Sequence, residues 1–403
     1  MMRAAIPLLL AATFAVAPPA TAQTKPAVKI GVVTDMSGPL SAMTGPGSLL
    51  AAQMAVEECL AKACAGMQIE ILSADHQNKA DVAAAIVRKW IDVDKVDAVT
   101  DIIQAAVQLA IQGVAKEKNI IALFPSGTAR LVNEDCAPAT GVVWMWDTYG
   151  QAVGITKPLV KPGSKWFTIV ANYAFGTSLE ADTTELVKAG GGTVVGSIRH
   201  PFNFGGDFSP FLLQAQSSGA DVIAIGSTGS DLVNILKQAK EFGLDKGKQT
   251  VASLVLTLPD VAALGLDTAQ GVVVNESFYW DFDDGTRSFG RRFLARHKAM
   301  PSSNQAGVYS LVTHYLKAVL AAGTTETAAV MRKMHELPIQ DEIVRNASLR
   351  PDGRMQHDTY LFRVKKPSES REPFDFYSLQ STIPAAGAFR PLSESACPAL
   401  KKG

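Results

Sequence analysis

The sequence predicts an α/β protein of two similar lobes, each built on a doubly wound parallel sheet. Strand-like and helix-like segments alternate along the chain, and they fall into two successive series. The length of 403 residues suits about two domains. Because 47% of the residues are hydrophobic and only 19% are charged, the composition excludes a disordered chain. Lys plus Arg and Asp plus Glu both number 38, so no global field directs the chain to nucleic acid or to an anionic membrane.

The first residues predict a cleaved signal peptide. Arg3 precedes an apolar run at 4–17 that is too short to span a bilayer. Ala20 and Ala22 supply the small residues that a signal peptidase needs, so we expect residues 1–22 to be removed by cleavage after Ala22 and the mature chain to be exported. A buried core helix is the alternative, and the prolines at both ends of the segment disfavour it.

The first series of elements begins soon after that segment. Short apolar or alternating runs predict four strands, at 28–33, 67–72, 96–103 and 120–124. A helix is expected to open near 44–47, where Pro46 suits a first turn. A second helix is expected to bury one face, formed by Val82, Ile86, Trp90 and Val93. Four strand–helix units in a row indicate a parallel sheet.

The second series follows the turn at 161–163. Its predicted strands lie at 165–171, 193–198 and 221–226, and its predicted helices at 176–189 and 208–217. A further helix carries an apolar stripe, formed by Leu232, Ile235, Leu236, Ala239 and Phe242. A strand at 271–280 is expected to run toward a crossing between the lobes. The helix at 305–321 is expected to pack on the first lobe, with an inward face formed by Tyr309, Val312, Leu316 and Val319.

Export makes the four cysteines candidates for disulfides, and four cysteines allow three pairings. On a continuous helix the Cα atoms of Cys59 and Cys64 would lie roughly 8–9 Å apart, beyond disulfide reach. Gly66 indicates that the helix ends near Cys64, which would bring the two into range. Cys59–Cys64 with Cys136–Cys397 is therefore the preferred pairing. Free thiols or a metal site are the alternative, although no CxxC motif or histidine stands nearby.

A ligand site is expected between the lobes. Ligands of open α/β sheets bind beyond the carboxyl ends of the strands, and in a two-lobed protein those ends face a cleft. The loops concerned lie at 37–41, 103–105, 126–128, 172–175, 227–230 and 256–259. Helices begin after several of them, so backbone N–H groups and positive dipole ends converge on the cleft. This chemistry favours a small anion such as a carboxylate, although for any single Ser or Thr a helix-capping role is the simpler interpretation.

The sequence lacks the signatures of catalysis. GxSxG, Walker, GxGxxG and HExxH motifs are absent, and the six histidines show no ligand spacing, so no enzyme, cofactor or metal site is predicted. His76 as a general base would need a nucleophile that the pattern does not supply, and loop capping is the better interpretation. The acidic residues Asp281, Asp283 and Asp284 lack the further oxygens of a calcium loop, which favours a turn before a helix.

Five segments carry a family resemblance. They follow one another through the mature chain, at 28–39, 73–81, 172–176, 269–281 and 305–310. In this order they resemble the leucine/isoleucine/valine type of periplasmic solute-binding proteins, the type I "Venus flytrap" receptors of ABC importers. The resemblance implies two lobes joined by three crossings, closing around one small molecule that passes unchanged to an inner-membrane permease. It implies a periplasmic monomer, with residues 27–146 and about 280–345 in the first lobe, and 147–279 and about 346–400 in the second.

The resemblance also assigns site residues. In the first lobe, a ligand carboxylate would be held by Gln104, Ala105, Ser126, Gly127 and Thr128. In the second lobe, Tyr173 would lie against the ligand, with further wall supplied by Ser227, Thr228 and Thr257. Additional stacking surface is expected from Trp280, and the other aromatic candidates are Phe124, Phe175 and Phe278. For these four aromatic residues, ordinary core or hinge packing is the alternative.

The chain departs from the amino-acid binders at one loop. Where they place an acidic side chain for the ligand's ammonium, this chain has Leu256, Thr257 and Leu258. Asp260 is expected to lie past the pocket and Asp231 to cap a helix. A desolvated ammonium without a buried anion is poorly compensated, so an amine-free organic acid, aromatic acids included, is expected rather than a branched-chain amino acid. Two other functions remain open: a ligand-sensing subunit of a membrane receptor, and an exported hydrolase with an unrecognised site.

Overall fold

A computed structural model describes residues 25–244 and 247–402. The predicted signal peptide at 1–22 lies outside these residues. Within them, no helix combines the length and the apolar character that a membrane crossing requires.

The first lobe is built on a five-stranded parallel sheet with the order β2-β1-β3-β4-β5. Its strands are β1 (Val28–Thr34), β2 (Ile69–Asp75), β3 (Ala98–Thr100), β4 (Ile121–Gly127) and β5 (Gly141–Asp147). The connecting helices are α1 (Gly45–Leu60), α2 (Ala80–Lys89) and α3 (Ala105–Lys118). The four predicted strands are present. The fifth, β5, was not predicted because a short 3-10 turn at Ala129–Val132, and no full helix, separates it from β4.

The second lobe carries a four-stranded parallel sheet with the order β7-β6-β8-β9. Its strands are β6 (Lys165–Ala171), β7 (Thr193–His200), β8 (Val222–Gly226) and β9 (Thr250–Ser253). Its helices are α4 (Thr148–Leu159), α5 (Ala174–Ala189), α6 (Ser209–Ser217), α7 (Gly229–Glu241), α8 (Leu258–Leu264) and α9 (Leu266–Ala269). Phe242, predicted on the buried stripe of α7, lies just past the helix end and is 37% exposed.

The chain then returns to the first lobe. After β10 (Val273–Glu276) come α10 (Asp284–His297), α11 (Ser303–Ala322) and α12 (Thr327–Glu336). Helix α11 packs on α1, β4 and β5, as its sequence pattern predicts. Its predicted inward residues are all buried, namely Tyr309, Val312, Leu316 and Val319.

The C-terminal region adds antiparallel structure that was not predicted. A hairpin of β11 (Ser348–Leu349) and β12 (Met355–Gln356) precedes β13 (Thr359–Val364) and β14 (Tyr377–Ile383), and α13 (Ala385–Ala388) follows. Strands β10, β13 and β14 form one antiparallel sheet in that order. β11 and β12, of two residues each, are too short to show a hydrophobic period, and the seven-residue β14 is mostly exposed and polar.

One predicted helix face is wrong. Helix α2 passes directly into a π-helical turn at Trp90–Asp94. A π turn advances through a smaller angle per residue than an α-helix, so residues after Trp90 leave the expected face. Val93 is consequently 66% exposed. Val82 and Ile86, which precede the turn, are half-buried, and the fully buried positions of this region are Ala83, Val87 and Trp90.

The chain passes between the lobes three times, first between β5 and α4, second between β10 and α10, and third between α12 and β13. These three crossings meet around the carboxyl end of β5. The fully buried guanidinium of Arg354, on the third crossing, donates to the carbonyl oxygens of Val143 (2.9 Å), Trp144 (2.6 Å) and Met145 (2.7 Å). Its Nε lies 3.0 Å from a carboxylate oxygen of Asp147. Burial lowers the pKa of Arg354 to about 10, so the guanidinium stays charged at neutral pH.

The Met145 carbonyl is the point that all three crossings share. Besides Arg354, it accepts a hydrogen bond of 3.1 Å from the hydroxyl of Ser277 on the second crossing. His357 on the third crossing places Nε2 2.6 Å from the same oxygen. The three crossings are therefore tied together at a small, buried cluster.

Both preferred disulfides are present. Helix α1 ends at Leu60, and the N–H of Cys64 donates to the carbonyl of Cys59 (2.8 Å) in the turn that follows, which brings the two Cα atoms to 4.9 Å. Cys136 and Cys397 are bonded with their Cα atoms 5.5 Å apart. The second bridge ties the end of the chain to the first lobe.

The two disulfides are expected to differ in their contribution to stability, because a cross-link restricts the unfolded chain more when it closes a longer loop. The bridged cysteines are 261 residues apart in one case and 5 in the other. Replacing Cys136 and Cys397 by serine should lower the free energy of unfolding by roughly 5 kcal/mol, and replacing Cys59 and Cys64 by roughly 2 kcal/mol. Denaturant titration of the two double variants measures both losses, and equal losses would contradict this account.

Candidate ligand-binding site

The two lobes touch across the carboxyl ends of their sheets. Thr128, which ends the β4 loop of the first lobe, donates its hydroxyl to Ser178 Oγ on α5 of the second lobe (2.9 Å). On the other side of the cleft, a Cβ added to Gly229 would lie 2.4 Å from the carbonyl oxygen of Pro39. The lobes are therefore closed on each other. Most predicted site residues are consequently buried, namely Gln104, Ala105, Ser126, Gly127, Thr128, Ser227, Thr228 and Thr257, whereas Tyr173 is half-buried.

In the first lobe, Gln108 on α3 holds the site loops in place. Its side-chain amide donates to the carbonyls of Ile102 (2.8 Å) and Ser126 (2.7 Å), and its oxygen accepts from the N–H of Thr128 (3.1 Å). Gly127 is packed so closely on it that an added Cβ would lie 2.8 Å from the Gln108 amide. Sequence reasoning missed Gln108; the available signal was a glutamine one turn beyond Gln104 on a helix that starts at the cleft.

The first turn of α3 supplies donors for an anion. Gln104 caps the helix by accepting from the N–H of Val107 (2.9 Å), so its side chain serves the helix itself. Ala105 and Ala106 are the first residues of this 14-residue helix. The first N–H groups of a helix have no intrahelical acceptor and lie at the positive end of its dipole. This is a suitable place for a carboxylate.

A buried polar chain lies beside these donors. Ser126 donates its hydroxyl to Asn304 Oδ1 (2.5 Å), and Asn304 donates its amide to Asp101 Oδ1 (2.6 Å). Asp101 follows β3 with a φ of +59° and is completely buried, which raises its pKa to about 7. The hydroxyls of Thr34 and Ser48 also lie close to this carboxylate and favour its charged form, although its second oxygen has no well-directed hydrogen bond within the part of the chain that the structure describes. Sequence reasoning missed Asp101 and Asn304, although an acid directly after a buried strand is a visible signal.

In the second lobe, an aromatic wall surrounds Tyr173. Its ring centroid lies 4.6 Å from that of Phe202 and 5.9 Å from that of Phe175. Its hydroxyl is 3.5 Å from Oγ1 of Thr228. Burial raises the pKa of Tyr173, so the phenol stays neutral. Phe202 was not predicted, because it lies on the loop after β7, whereas the predicted strand in that region ended at 198.

Ser227, at the carboxyl end of β8, is paired with a histidine. Its Oγ lies 2.7 Å from Nε2 of His200, the last residue of β7. This is the spacing of a nucleophile and a general base. The other ring nitrogen of His200, Nδ1, faces the carbonyl oxygen of Pro201 (2.8 Å) and not a carboxylate, unlike the third member of a hydrolase triad.

Two acidic residues near the cleft have local roles. Asp231, predicted to cap a helix, instead lies in the first turn of α7, and its two oxygens accept from the N–H groups of Phe204 and Gly205 (3.0 Å each). The helix-cap prediction is wrong because this side chain fastens the loop after β7. Asp260 accepts from both the N–H (2.9 Å) and the hydroxyl (2.6 Å) of Thr257, in a capping box at the start of α8.

Trp280 lies in the packing around the second crossing. It is completely buried, its indole N–H donates to the carbonyl of Phe374 (2.9 Å), and its Cβ would lie 3.0 Å from a Cβ on Gly290. Phe278 packs on Phe289 of α10 with ring centroids 6.1 Å apart. These contacts fit the packing alternative for both residues. A ligand contact by Trp280 remains a prediction.

His76 and the acidic residue Asp283 also have local hydrogen-bond partners. His76 is buried, and its Nδ1 accepts from the N–H of Asn78 (3.0 Å). Asp283 caps α10 and accepts from the N–H of Thr286 (3.0 Å). Within the described ranges, no group of three or more His, Cys, Asp or Glu side chains is arranged to hold a metal ion.

Comparison with known proteins decides the family. Residues 27–370 match the family model described as periplasmic binding protein. The chain belongs to this family. A periplasmic binding protein from Burkholderia mallei is 43% identical, with a TM-score of 0.87 over 92% of this chain and 98% of that one. A branched chain amino acid ABC transporter periplasmic ligand-binding protein from Burkholderia xenovorans is 38% identical, with a TM-score of 0.82 over 92% and 99%.

Other similar proteins have a lower sequence identity to this chain. A solute binding protein of an ABC transporter from Rhodopseudomonas palustris, solved in complex with benzoate, has the same fold at 19% identity, with a TM-score of 0.79 over 93% of this chain and 100% of that one. A Leu/Ile/Val-binding protein homolog from Brucella abortus is 28% identical over 116 residues. That match spans only 29% of this chain and 27% of the relative.

The contact between Gly229 and Pro39 predicts that closure of this periplasmic binding protein needs a glycine. In Gly229→Ala, the new methyl group would collide with the Pro39 carbonyl and favour the open form. Gly219→Ala is a matched control, because Gly219 also has a positive φ (+70°, against +60° for Gly229) but has no atom within 4 Å of an added Cβ. Small-angle X-ray scattering should show a larger radius of gyration for Gly229→Ala alone. Equal radii in the two variants would contradict a closed contact at this glycine.

A second prediction concerns Glu276, which ends β10 and accepts a hydrogen bond from the hydroxyl of Ser303 at the start of α11. Burial raises its pKa to about 8, whereas an unfolded chain has a glutamate pKa of about 4.3. Between these values the folded state binds a proton that the unfolded state does not, so this group makes stability fall as pH rises. Glu276→Gln should reduce the loss of unfolding free energy between pH 5 and pH 9.

Denaturant titration at several pH values measures that loss. Glu70→Gln, which alters a carboxylate with 57% of its side chain exposed, should leave the pH dependence of the parent protein unchanged. An unchanged slope in Glu276→Gln would show that Glu276 is ionised in the folded protein.

Proposed function

We propose that this chain is a periplasmic substrate-binding protein that captures a small carboxylate-containing molecule and delivers it to an ABC-transporter permease in the inner membrane. The closed contact of the two lobes, through Thr128 with Ser178 and Pro39 with Gly229, carries this proposal. It joins loops from the carboxyl ends of two parallel sheets, where such folds bind ligands. Residues 1–22 direct export and are cleaved after Ala22, and the mature protein acts as a monomer.

The ligand is held with its carboxylate against the first lobe. Support comes from the start of α3, where Ala105 and Ala106 offer N–H groups, and from the loop at 126–128 that Gln108 holds in place. The opposite wall, around Tyr173 and Phe202, offers flat aromatic surface. An aromatic ring gains from stacking on such a surface. The ligand is therefore an organic acid with an aromatic ring.

The ligand lacks an amine. Asp231 and Asp260, the second-lobe acids near the cleft, already accept two hydrogen bonds each from their own lobe. Leu256 and Leu258 are buried and apolar. Both oxygens of Asp231 are taken, and Asp260 Oδ2 already holds the start of α8, so a desolvated ammonium on this side would be poorly compensated and would cost free energy. The benzoate complex of the Rhodopseudomonas palustris protein shows that the same fold accommodates an amine-free aromatic acid.

One observation favours a second candidate, an α-amino acid. Asp101 is a completely buried carboxylate beside the first-lobe loops, and its nearest side-chain partners are the neutral groups of Thr34, Ser48 and Asn304. A ligand ammonium would supply the opposite charge that it lacks and lower its pKa from about 7. The Burkholderia xenovorans relative is described as a branched chain amino acid transporter component. Under this alternative, the ligand's two charged groups both lie on the first lobe.

A thermal-shift screen separates the two candidates. The mature protein, refolded to remove carried-over ligand, would be tested with benzoates, phenylpropanoids and keto acids against branched-chain and other amino acids. A ligand at 100 times its dissociation constant stabilises the folded state by about 2.7 kcal/mol, which is a visible shift. We expect stabilisation by amine-free aromatic acids. Stabilisation by amino acids alone would overturn the ligand class and leave the binding function standing.

Asp101→Asn tests the alternative independently. The substitution keeps the shape of the side chain and removes the charge that an ammonium requires. We expect the affinity of this variant for benzoates to stay within about threefold of that of the parent protein, because an amine-free ligand requires no charge at this position. A loss of more than tenfold for an amino acid, with benzoates inactive throughout, would establish the second candidate.

A further inference from the structure

The end of the chain is attached to both lobes. Helix α13 lies against α4 of the second lobe, where a Cβ added to Gly150 would lie 3.1 Å from the carbonyl oxygen of Ala388. Further along, Cys397 is bonded to Cys136 of the first lobe. Residues 389–397, which join these two places, are termed the C-terminal strap. The strap connects the lobes in addition to the three crossings.

Arg390 anchors the strap to the second lobe. Its guanidinium donates to Asp182 (3.2 Å) and to both carboxylate oxygens of Glu185 (3.0 and 2.9 Å), which lie on α5. It also lies over the ring of Tyr149, with its central carbon 4.2 Å from the ring centroid. Only 18% of the Arg390 side chain is exposed, so these interactions are screened less than those of an ordinary surface ion pair.

The other end of the strap is anchored to the first lobe. Cys397 is completely buried in its bond with Cys136, and the N–H of Ala396 donates to the side-chain oxygen of Asn133 (2.6 Å). Between the two anchors, residues 391–394 are exposed and include a 3-10 turn at Leu392–Glu394. The connection is short, so the anchors cannot move far apart without extending it.

Both anchors lie next to the contact that closes the cleft. Ser178, which accepts from Thr128 across the cleft, is on α5 one turn before Asp182 and two turns before Glu185, so the three share one face of that helix. In the first lobe, Asn133 follows the 3-10 turn that begins directly after Thr128. Separation of Ser178 from Thr128 would therefore pull the two ends of the strap apart.

We infer that the C-terminal strap is a fourth link between the lobes and opposes opening of the cleft. An extended residue spans at most about 3.6 Å and a residue in a 3-10 turn about 2.0 Å, so each residue of the turn can release only roughly 1.5 Å. Small motions are thus allowed and larger ones are resisted. The two anchors act in series, so loss of either one releases the strap. This role does not depend on which molecule the cleft binds.

Amide hydrogen exchange of the refolded, ligand-free protein, followed by mass spectrometry, tests the inference. Two variants each remove one anchor: Arg390→Gln, and Cys136→Ser combined with Cys397→Ser. Peptides from the loops at 37–41 and 227–230 report on opening, because these loops meet on the other side of the cleft, at Gly229. We expect both peptides to exchange at least fivefold faster in either variant, whereas a peptide from the buried strand β4 should keep its rate.

Matched controls remove similar interactions that do not join the lobes. Arg363→Gln removes an ion pair with Glu369, which lies six residues away in the same C-terminal region (3.3 Å). Cys59→Ser with Cys64→Ser removes the disulfide that lies within the first lobe. Both controls should keep the parental exchange rates at 37–41 and 227–230. Combining Arg390→Gln with the loss of Cys136 and Cys397 should add less than twofold to either change alone, because the anchors act in series.

Three outcomes would overturn the inference. The first is parental exchange at 37–41 and 227–230 in both anchor variants. The second is faster exchange confined to 128–134 and 385–397, which would mean that the strap only packs locally. The third is full additivity of the two changes, which would mean that the anchors act independently. If the double cysteine variant also exchanges faster in β4, Arg390→Gln decides the question, because it keeps the disulfide.

Discussion

The packing of Arg354 against the end of β5 is the interaction on which the rest of the molecule depends. Three carbonyl oxygens and the carboxylate of Asp147 surround one buried guanidinium. The Met145 carbonyl, one of the three, also accepts a hydrogen bond from the hydroxyl of Ser277. Removing one partner from such a cluster would leave a buried charge unpaired, at a cost of several kcal/mol. The cluster joins the three crossings at one point. It therefore fixes the crossings that hold the two sheets facing each other.

That constraint explains why the cleft has two unlike walls. Parallel strands that end at a common edge place their loops, and the first turns of the following helices, toward the opposite lobe. On the first lobe the start of α3 offers N–H donors, whereas the second lobe presents the aromatic rings of Tyr173 and Phe202. The proposed ligand, an acid with an aromatic ring, would be complementary to both walls. A closed form with a ligand between the lobes is favoured by the affinity that it gains over the open form.

The sequence predicted the elements in which the hydrophobic pattern repeats over enough residues to be recognised. Helix α11 has a buried face over five turns and was located correctly, and the turn after α1 was enough to choose the disulfide of Cys59 and Cys64. Contacts between segments that are far apart in the sequence could not be predicted. Gln108, Asn304 and His200 lie on elements that were predicted or nearly so, but their roles depend on partners up to 203 residues away, as for Asn304 with Asp101. Val93 was misplaced because a π-helical turn leaves no signature in a hydrophobic pattern.

A crystal structure of the refolded protein with benzoate tests the central claim most directly, because it locates the carboxylate and the ring at once. The account predicts that the carboxylate lies at the start of α3 beside Ser126 and that the ring lies against Tyr173. A ligand bound in the reverse orientation, with its carboxylate on the second lobe, would contradict the account.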